Sequence, residues 1–184
     1  MQSRAHELIA ATVVSIDPER GNVVLDLGKG GSAVLPRNEQ VPGETFTEGQ
    51  TVQVYVVDVL ATDRGPRVTI SRTHPGLVKR MFELEVPEIY DGTVEVKAIA
   101  REAGARTKLA VWSKNPDVDP VGACIGARGA RVEKIVQELN GEKIDVIRWS
   151  EDITEFISAA LSPAKVVKVE LLPGETKSCR VTVP

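Results

Sequence analysis

Aromatic side chains are scarce in this 184-residue chain, which has three Phe, two Trp and two Tyr. Its cores must be filled by Val, Ile, Leu and Ala. With fifteen Gly and eleven Pro marking frequent turns, this excludes one large core and favours several small modules. Cysteine is scarcer still: Cys124 and Cys179 are too few and too far apart for a disulfide framework or a zinc-type cluster. No metal is expected, and a reducing compartment is. Long apolar runs are missing as well, since nothing approaches the ~20 residues of a membrane span. The opening run MQSRAHELIAATVV carries Arg4, His6 and Glu7 and lacks a cationic leader followed by an apolar stretch. The expectation is a cytoplasmic protein that does not engage a membrane.

An excess of one charge sign is also absent. Lys and Arg number 23 against 26 Asp and Glu, which rules out a uniformly basic chain. The distribution is uneven, however. Residues 1–73 hold 7 basic and 9 acidic side chains, whereas residues 97–134 hold Lys97, Arg101, Arg106, Lys108, Lys114, Arg128, Arg131 and Lys134 against four acids. A local basic stretch of this kind suits a polyanion, although charge alone reads equally well as solvated surface.

Five short β segments occupy the first third: LIAATVVSI, NVVLDL, SAVLP, TVQVYVVDVLA and RVTIS. Turn chemistry separates them at 17–21 (DPERG), 28–31 (GKGG), 41–44 (VPGE) and 63–66 (DRGP). Five strands in about 65 residues, with the longest gap after the third, predict a partly open OB-type barrel. Beyond Thr73 the pattern changes. Leu77, Val78, Met81, Phe82 and Leu84 follow a helical stripe, two strands meet at a glycine turn at 103–106, and Asp119 and Pro120 open a short helix ending at Ile125. A second helix starts near Ala130, Asn140 and Gly141 end it, and the strand KIDVIRW follows. Residues 151–184 then repeat the first half of this module, a helix halted at Ser162 and Pro163 and two strands around Pro173, Gly174 and Glu175. Half a module cannot close a core, so a truncated second copy is expected, the alternative being an extension packed on the middle module.

Gly126, Ala127, Arg128 and Gly129 lie between the two helices. Glycines allow close backbone approach, the N–H groups of the following helix attract phosphate oxygens, and Arg128, Arg131 and Lys134 add positive charge. A lone GxxG is a weak signal. Here it stands in the order helix, strand, strand, helix, GxxG, helix, strand expected of a KH module, which clamps about four nucleotides. Walker-type and dinucleotide motifs are absent, and His6 and His74 have no nucleophilic partner at a recognisable spacing, so no catalytic residue is assigned and no cofactor is expected. Cys124 sits in an apolar run and reads as a buried small hydrophobe.

The stretches SRTHP (71–75), LEVPEI (84–89), AREAGARTKLAV (100–111), VGACIGARGARV (121–132), GEKIDVIRW (141–149) and ALSPAKV (160–166) resemble the NusA family of bacterial transcription elongation and termination factors. The resemblance spans nearly the whole chain and implies an all-β OB-fold (S1-type) barrel at 1–73, an α/β KH domain at 74–150, and a partial second KH domain at 151–184. It further implies a non-enzymatic monomer that binds single-stranded nascent RNA. RNA polymerase and other antitermination factors would be its partners in pausing, termination and antitermination. Carried onto this sequence, the RNA-binding residues are Gly126, Ala127, Arg128 and Gly129, with Arg131 and Lys134 on the helix behind. A base groove would be lined by Val121, Ile125, Ile144, Val146 and Ile147. The barrel offers only Phe46 and Tyr55 for stacking, so weak contacts from Lys29 and Arg37 are the most expected there. The rival reading is a protein-interaction scaffold, with the acidic barrel docked on polymerase or an antitermination factor and RNA contact incidental. About three phosphate contacts would give a log-log salt slope of roughly −2.

Overall fold

Alternating burial along β1 (Leu8–Ile16) turns Ala11 and Val13 inward. The same period-2 pattern buries Val23 and Leu25 on β2 (Val23–Asp26), Ala33 and Leu35 on β3 (Ser32–Leu35), and Val52, Val54 and Val56 on β4 (Thr51–Thr62). With Ile70 of β5 (Gly65–Ser71) these side chains form one core. A computed structural model describes residues 4–174 and 177–184. Its first sheet has the order β3-β2-β1-β4-β5, all neighbours antiparallel. The edge strands β3 and β5 approach each other without backbone pairing, which nearly closes the barrel. Irregularities at Val13/Ser15 and Val56/Asp58 bend the two longest strands enough for closure.

The second unit opens with α1 (Pro75–Glu85), capped by His74, whose Nδ1 accepts the Gly76 N–H at 2.9 Å. Leu77, Val78, Met81 and Phe82 are buried as the stripe predicts, but Leu84 is 67% exposed and is not part of it. A short α2 (Pro87–Tyr90) follows, then β6 (Val94–Glu102) antiparallel to β7 (Arg106–Ser113). The crossover through α3 (Pro120–Ile125) and α4 (Ala130–Glu138) brings β8 (Lys143–Arg148) back parallel to β7. The sheet order is β6-β7-β8. Leu109 and Val111 of β7 join Phe82, Cys124, Ile135 and Leu139 in the core between sheet and helices.

Tyr55 belongs to β4 of the barrel but packs in the core of the second unit. Its hydroxyl meets His6 Nδ1 at 2.9 Å, and its ring stacks on His74 with centroids 4.7 Å apart. A Cβ at position 76 would lie 2.5 Å from this ring, so the close approach requires Gly76. Around it, Arg72 ties Glu44 to the backbone O of Gln53, Asn140 donates to Glu44, and Arg80 donates to the backbone O of His6. The short junction at 73–76 is thus braced on several sides.

Burial holds the His74 imidazole below its ordinary 6.5, opposed by the Glu39 carboxylate and assisted by His6 and Arg101. A histidine with a depressed folded value binds protons more readily when unfolded, so its share of stability is present above 6.5 and declines as pH falls from there. Protonated Nδ1 can no longer accept the Gly76 N–H. Thermal melts from pH 7.5 to 5 should show Tm falling on the acid side of this window, and His74→Asn, which keeps a capping acceptor, should flatten the fall. An equal slope in the variant would assign the pH dependence to other groups.

Beyond β8, Asp152 caps α5 (Ile153–Ala160) by accepting from Thr154 N–H at 2.9 Å. The strands β9 (Lys168–Leu171) and β10 (Cys179–Thr182) pair as a hairpin. Glu175, expected in its turn, lies outside the described residues. Helix α5 rests against β8 and β9, and Lys108 donates to the carbonyls of Ala160 and Ser162 at its end. None of its residues is fully buried, and Ile153, Val167, Leu171 and Val183 are more than half exposed. The helix and hairpin leave these apolar side chains uncovered. Among the described residues no helix is long and apolar enough to cross a membrane.

Candidate nucleic-acid interface

The GxxG loop is set by capping at both ends of α3. Asp119 accepts the Val121 N–H at 3.1 Å and Pro120 takes the first helical position. Gly126 ends the helix at φ 76°, where its N–H donates to Gly122 O. A Cβ there would lie 2.7 Å from the Arg131 side chain, so the loop folds tightly over α4. Gly129, at φ 77°, serves as the N-cap of α4 and has open space where a Cβ would stand. Between the glycines Ala127 and Arg128 are exposed, and Arg128 is a non-glycine residue at φ 55°. No side chain caps α4. The Ala130 N–H is taken by Ala127 O, and the positive dipole end of the helix lies at the loop beside Arg128.

The basic stretch looks different once partners are assigned. Arg131 turns back to Glu88 at 2.9 Å and to Ala123 O at 2.7 Å, bracing α3 and α2. Lys134 pairs with Glu85 at 2.7 Å and Arg106 with Asp145 at 2.5 Å. Lys97 and Lys114 share Glu95, and Lys97 also lies 4.8 Å from the Trp112 ring and 5.1 Å from that of Trp149. Those two ammonium groups hold the Glu95 carboxyl below its usual range, Lys114 being the larger cause. Arg101 is fully buried against Glu142, and Lys108 caps α5. Of the eight cations counted between 97 and 134, Arg128 alone has no partner among the described residues.

The apolar candidates separate by strand alternation. Ile144 and Val146 pack on the core beneath the helices, and Ile125 at the end of α3 is half-buried beside the loop. Ile147 faces the opposite side of the sheet and cannot line the same groove, which corrects its place in the sequence-based set. In the barrel Lys29 and Arg37 are both exposed but sit before and after β3, so the fold does not bring them together. Phe46 packs against the barrel core and Tyr55 is spent on the junction, leaving neither ring as a stacking platform.

The Cys124 thiol is fully buried and pushed up to about 12, chiefly by burial and further by Glu88, which makes it an inert core group. The two histidines, distant in sequence, meet on Tyr55. Their only visible signal was position, since both stand at a module boundary. Glu85 and Glu88 were also missed. Their partners lie more than forty residues away.

A nearly closed five-stranded barrel joined to an α/β unit with an exposed GxxG defines an S1–KH protein, and the comparisons agree. Residues 3–71 match the S1 RNA binding domain and residues 72–149 match the NusA-like first KH domain. The chain is similar to "Transcription termination/antitermination protein NusA" of Halalkalibacterium halodurans, at 56% identity over 88% of this chain and 42% of that protein. The protein of that name from Thermus thermophilus is 49% identical over 96% of this chain and 45% of its own length. For Mycobacterium bovis the identity is 47%, over 96% of this chain and 52% of the relative. The chain belongs to the NusA family. It spans about half the length of these curated relatives.

Proposed function

We propose that this chain is a non-enzymatic, cytoplasmic, monomeric RNA-binding region of a transcription termination and antitermination factor. It holds single-stranded nascent RNA on the GxxG loop while RNA polymerase and other antitermination factors are its partners. The divisions 1–73, 74–150 and 151–184 serve as barrel, RNA clamp and the beginning of a second clamp. One observation carries the reading: exposed Ala127 and unpaired Arg128 stand over the uncapped first turn of α4. Phosphate oxygens would meet the positive end of α4 and the guanidinium, and bases would lie toward Ile125, Ile144 and Val146. Arg131 and Lys134 supply field from within ion pairs and not as direct ligands. Fewer free cations mean a shallower salt dependence than three contacts would give. The one free cation of the stretch, Arg128, implies a log-log slope of about −0.7.

The test is fluorescence anisotropy with single-stranded RNA at two salt concentrations, on the wild type and on Ala127→Asp with Arg128→Asp. Both glycines remain, so the turn should survive and circular dichroism should be unchanged. Affinity should fall about tenfold or more as two carboxylates face phosphate. Equal binding by the two proteins would remove the loop from the interface. In that case co-precipitation with polymerase under nuclease would test the scaffold reading, which the acidic barrel favours.

A further inference from the structure

The geometry points to Arg148 as a base-reading residue at the far end of the groove that begins at the GxxG loop. This rests on the RNA-clamp reading above. Residue 148 ends β8 opposite Val111 in the parallel register, and pairing continues past it, since Trp149 N–H donates to Val111 O at 2.8 Å. Strand alternation puts Arg148 on the same face as Ile144 and Val146, beneath the helices. Lys143, Asp145 and Ile147 face the other way. Arg148 is exposed and has no ion pair, hydrogen bond or ring contact among the described residues.

Its place along the groove follows from chain topology. β7 ends at Ser113, close to the Arg148 end of β8, and after residues 114–119 α3 begins. The chain then runs the length of α3, six residues or ~9 Å, before reaching the loop that carries Arg128. The groove therefore has one free guanidinium past each end of α3, with half-buried apolar side chains between them. The other cations of the 97–134 stretch are tied to carboxylates or carbonyls. At the loop end the positive end of α4, which no side chain caps, suits phosphate. At the strand end the N-terminus of α3 is already capped by Asp119 and opens on a proline, and a planar fork of donors matches a base edge with two adjacent acceptors. Guanine presents such an edge at N7 and O6 and cytosine at N3 and O2. Adenine and uracil present none.

Arg148 thus confers a preference for guanine or cytosine at one position of the bound RNA. The test uses the full chain and pools of five-nucleotide RNA randomised at every position but one, read by anisotropy. The wild type should prefer G or C by roughly tenfold at a single position, and Arg148→Ala should level that position and leave the others. Arg148→Lys, which keeps the charge without the fork, should retain overall affinity and lose the preference. A fixed 7-deazaguanine distinguishes the guanine edge from the cytosine one. Uniform weakening of every pool by Arg148→Ala, with a shallower salt slope, would make Arg148 a phosphate contact and overturn the assignment. An unchanged profile would overturn it too. In both cases loss of binding by the Ala127→Asp, Arg128→Asp protein would leave the clamp standing, whereas a wild type that binds no pool would remove the clamp itself.

Discussion

Replacing Glu142 by Ala should destabilise the KH unit by about 3–5 kcal/mol, the cost of leaving a buried charge without its partner. Glu142 is 1% exposed and accepts four kinds of donor: Arg101 Nε and Nη2, the Gly104 N–H at 2.7 Å and the Thr107 hydroxyl at 2.8 Å. The Arg101 side chain is also fully buried. Its remaining bond, to His74 O at 3.0 Å, cannot neutralise it. Water has no easy access, so the uncompensated guanidinium must drag its strand end open. The Tm should fall on the order of 10 °C for a chain of this size. Substituting both residues, Arg101→Met with Glu142→Leu, should recover much of the loss because no orphan charge is left. A single variant that melts within 2 °C of wild type would mean the pair contributes little.

Arg72→Ala should act at the other buried pair, with a loss toward the low end of the same range, about 3 kcal/mol. Arg72 is 3% exposed, donates through Nε to both oxygens of Glu44 at 3.0 and 2.9 Å, and reaches Gln53 O at 2.5 Å. Glu44 differs from Glu142 in its surroundings. It sits on the long connection between β3 and β4, which can swing its carboxylate back into water. That relief lowers the cost but breaks the bond from Asn140, which ties this connection to the end of α4 at 3.0 Å. Hydrogen exchange should therefore accelerate at residues 40–53 and 137–141 more than elsewhere. Unchanged exchange near Asn140 would show that the Arg72 pair does not hold the two units together.

The strands and helices were legible because their periodicity is strong: inward Val23 and Leu25, or Leu77, Val78, Met81 and Phe82, repeat at the spacing of the element that buries them. Helix α2 escaped notice because four residues, the first a proline, have no periodicity to detect. The loop glycines were legible through their order among elements, not through the motif. What stayed hidden was pairing at a distance. Arg131 and Lys134 read as free cations because Glu88 and Glu85 belong to other helices, and Tyr55 read as one of the barrel's two rings for stacking. Alternation says which side of a strand a residue takes. It cannot say that a second unit covers that side.

Tyr55 gives the two units different borders depending on how they are drawn. Along the chain it is a barrel residue, and by packing it is part of its neighbour's interior, held between His6 and His74. The modules are therefore not interchangeable parts. A foreign barrel grafted ahead of position 72 would inherit the peptide connection but leave a ring-sized vacancy facing Gly76, so exchange of one unit during descent would have had to carry the tyrosine with it or repack what lies beneath.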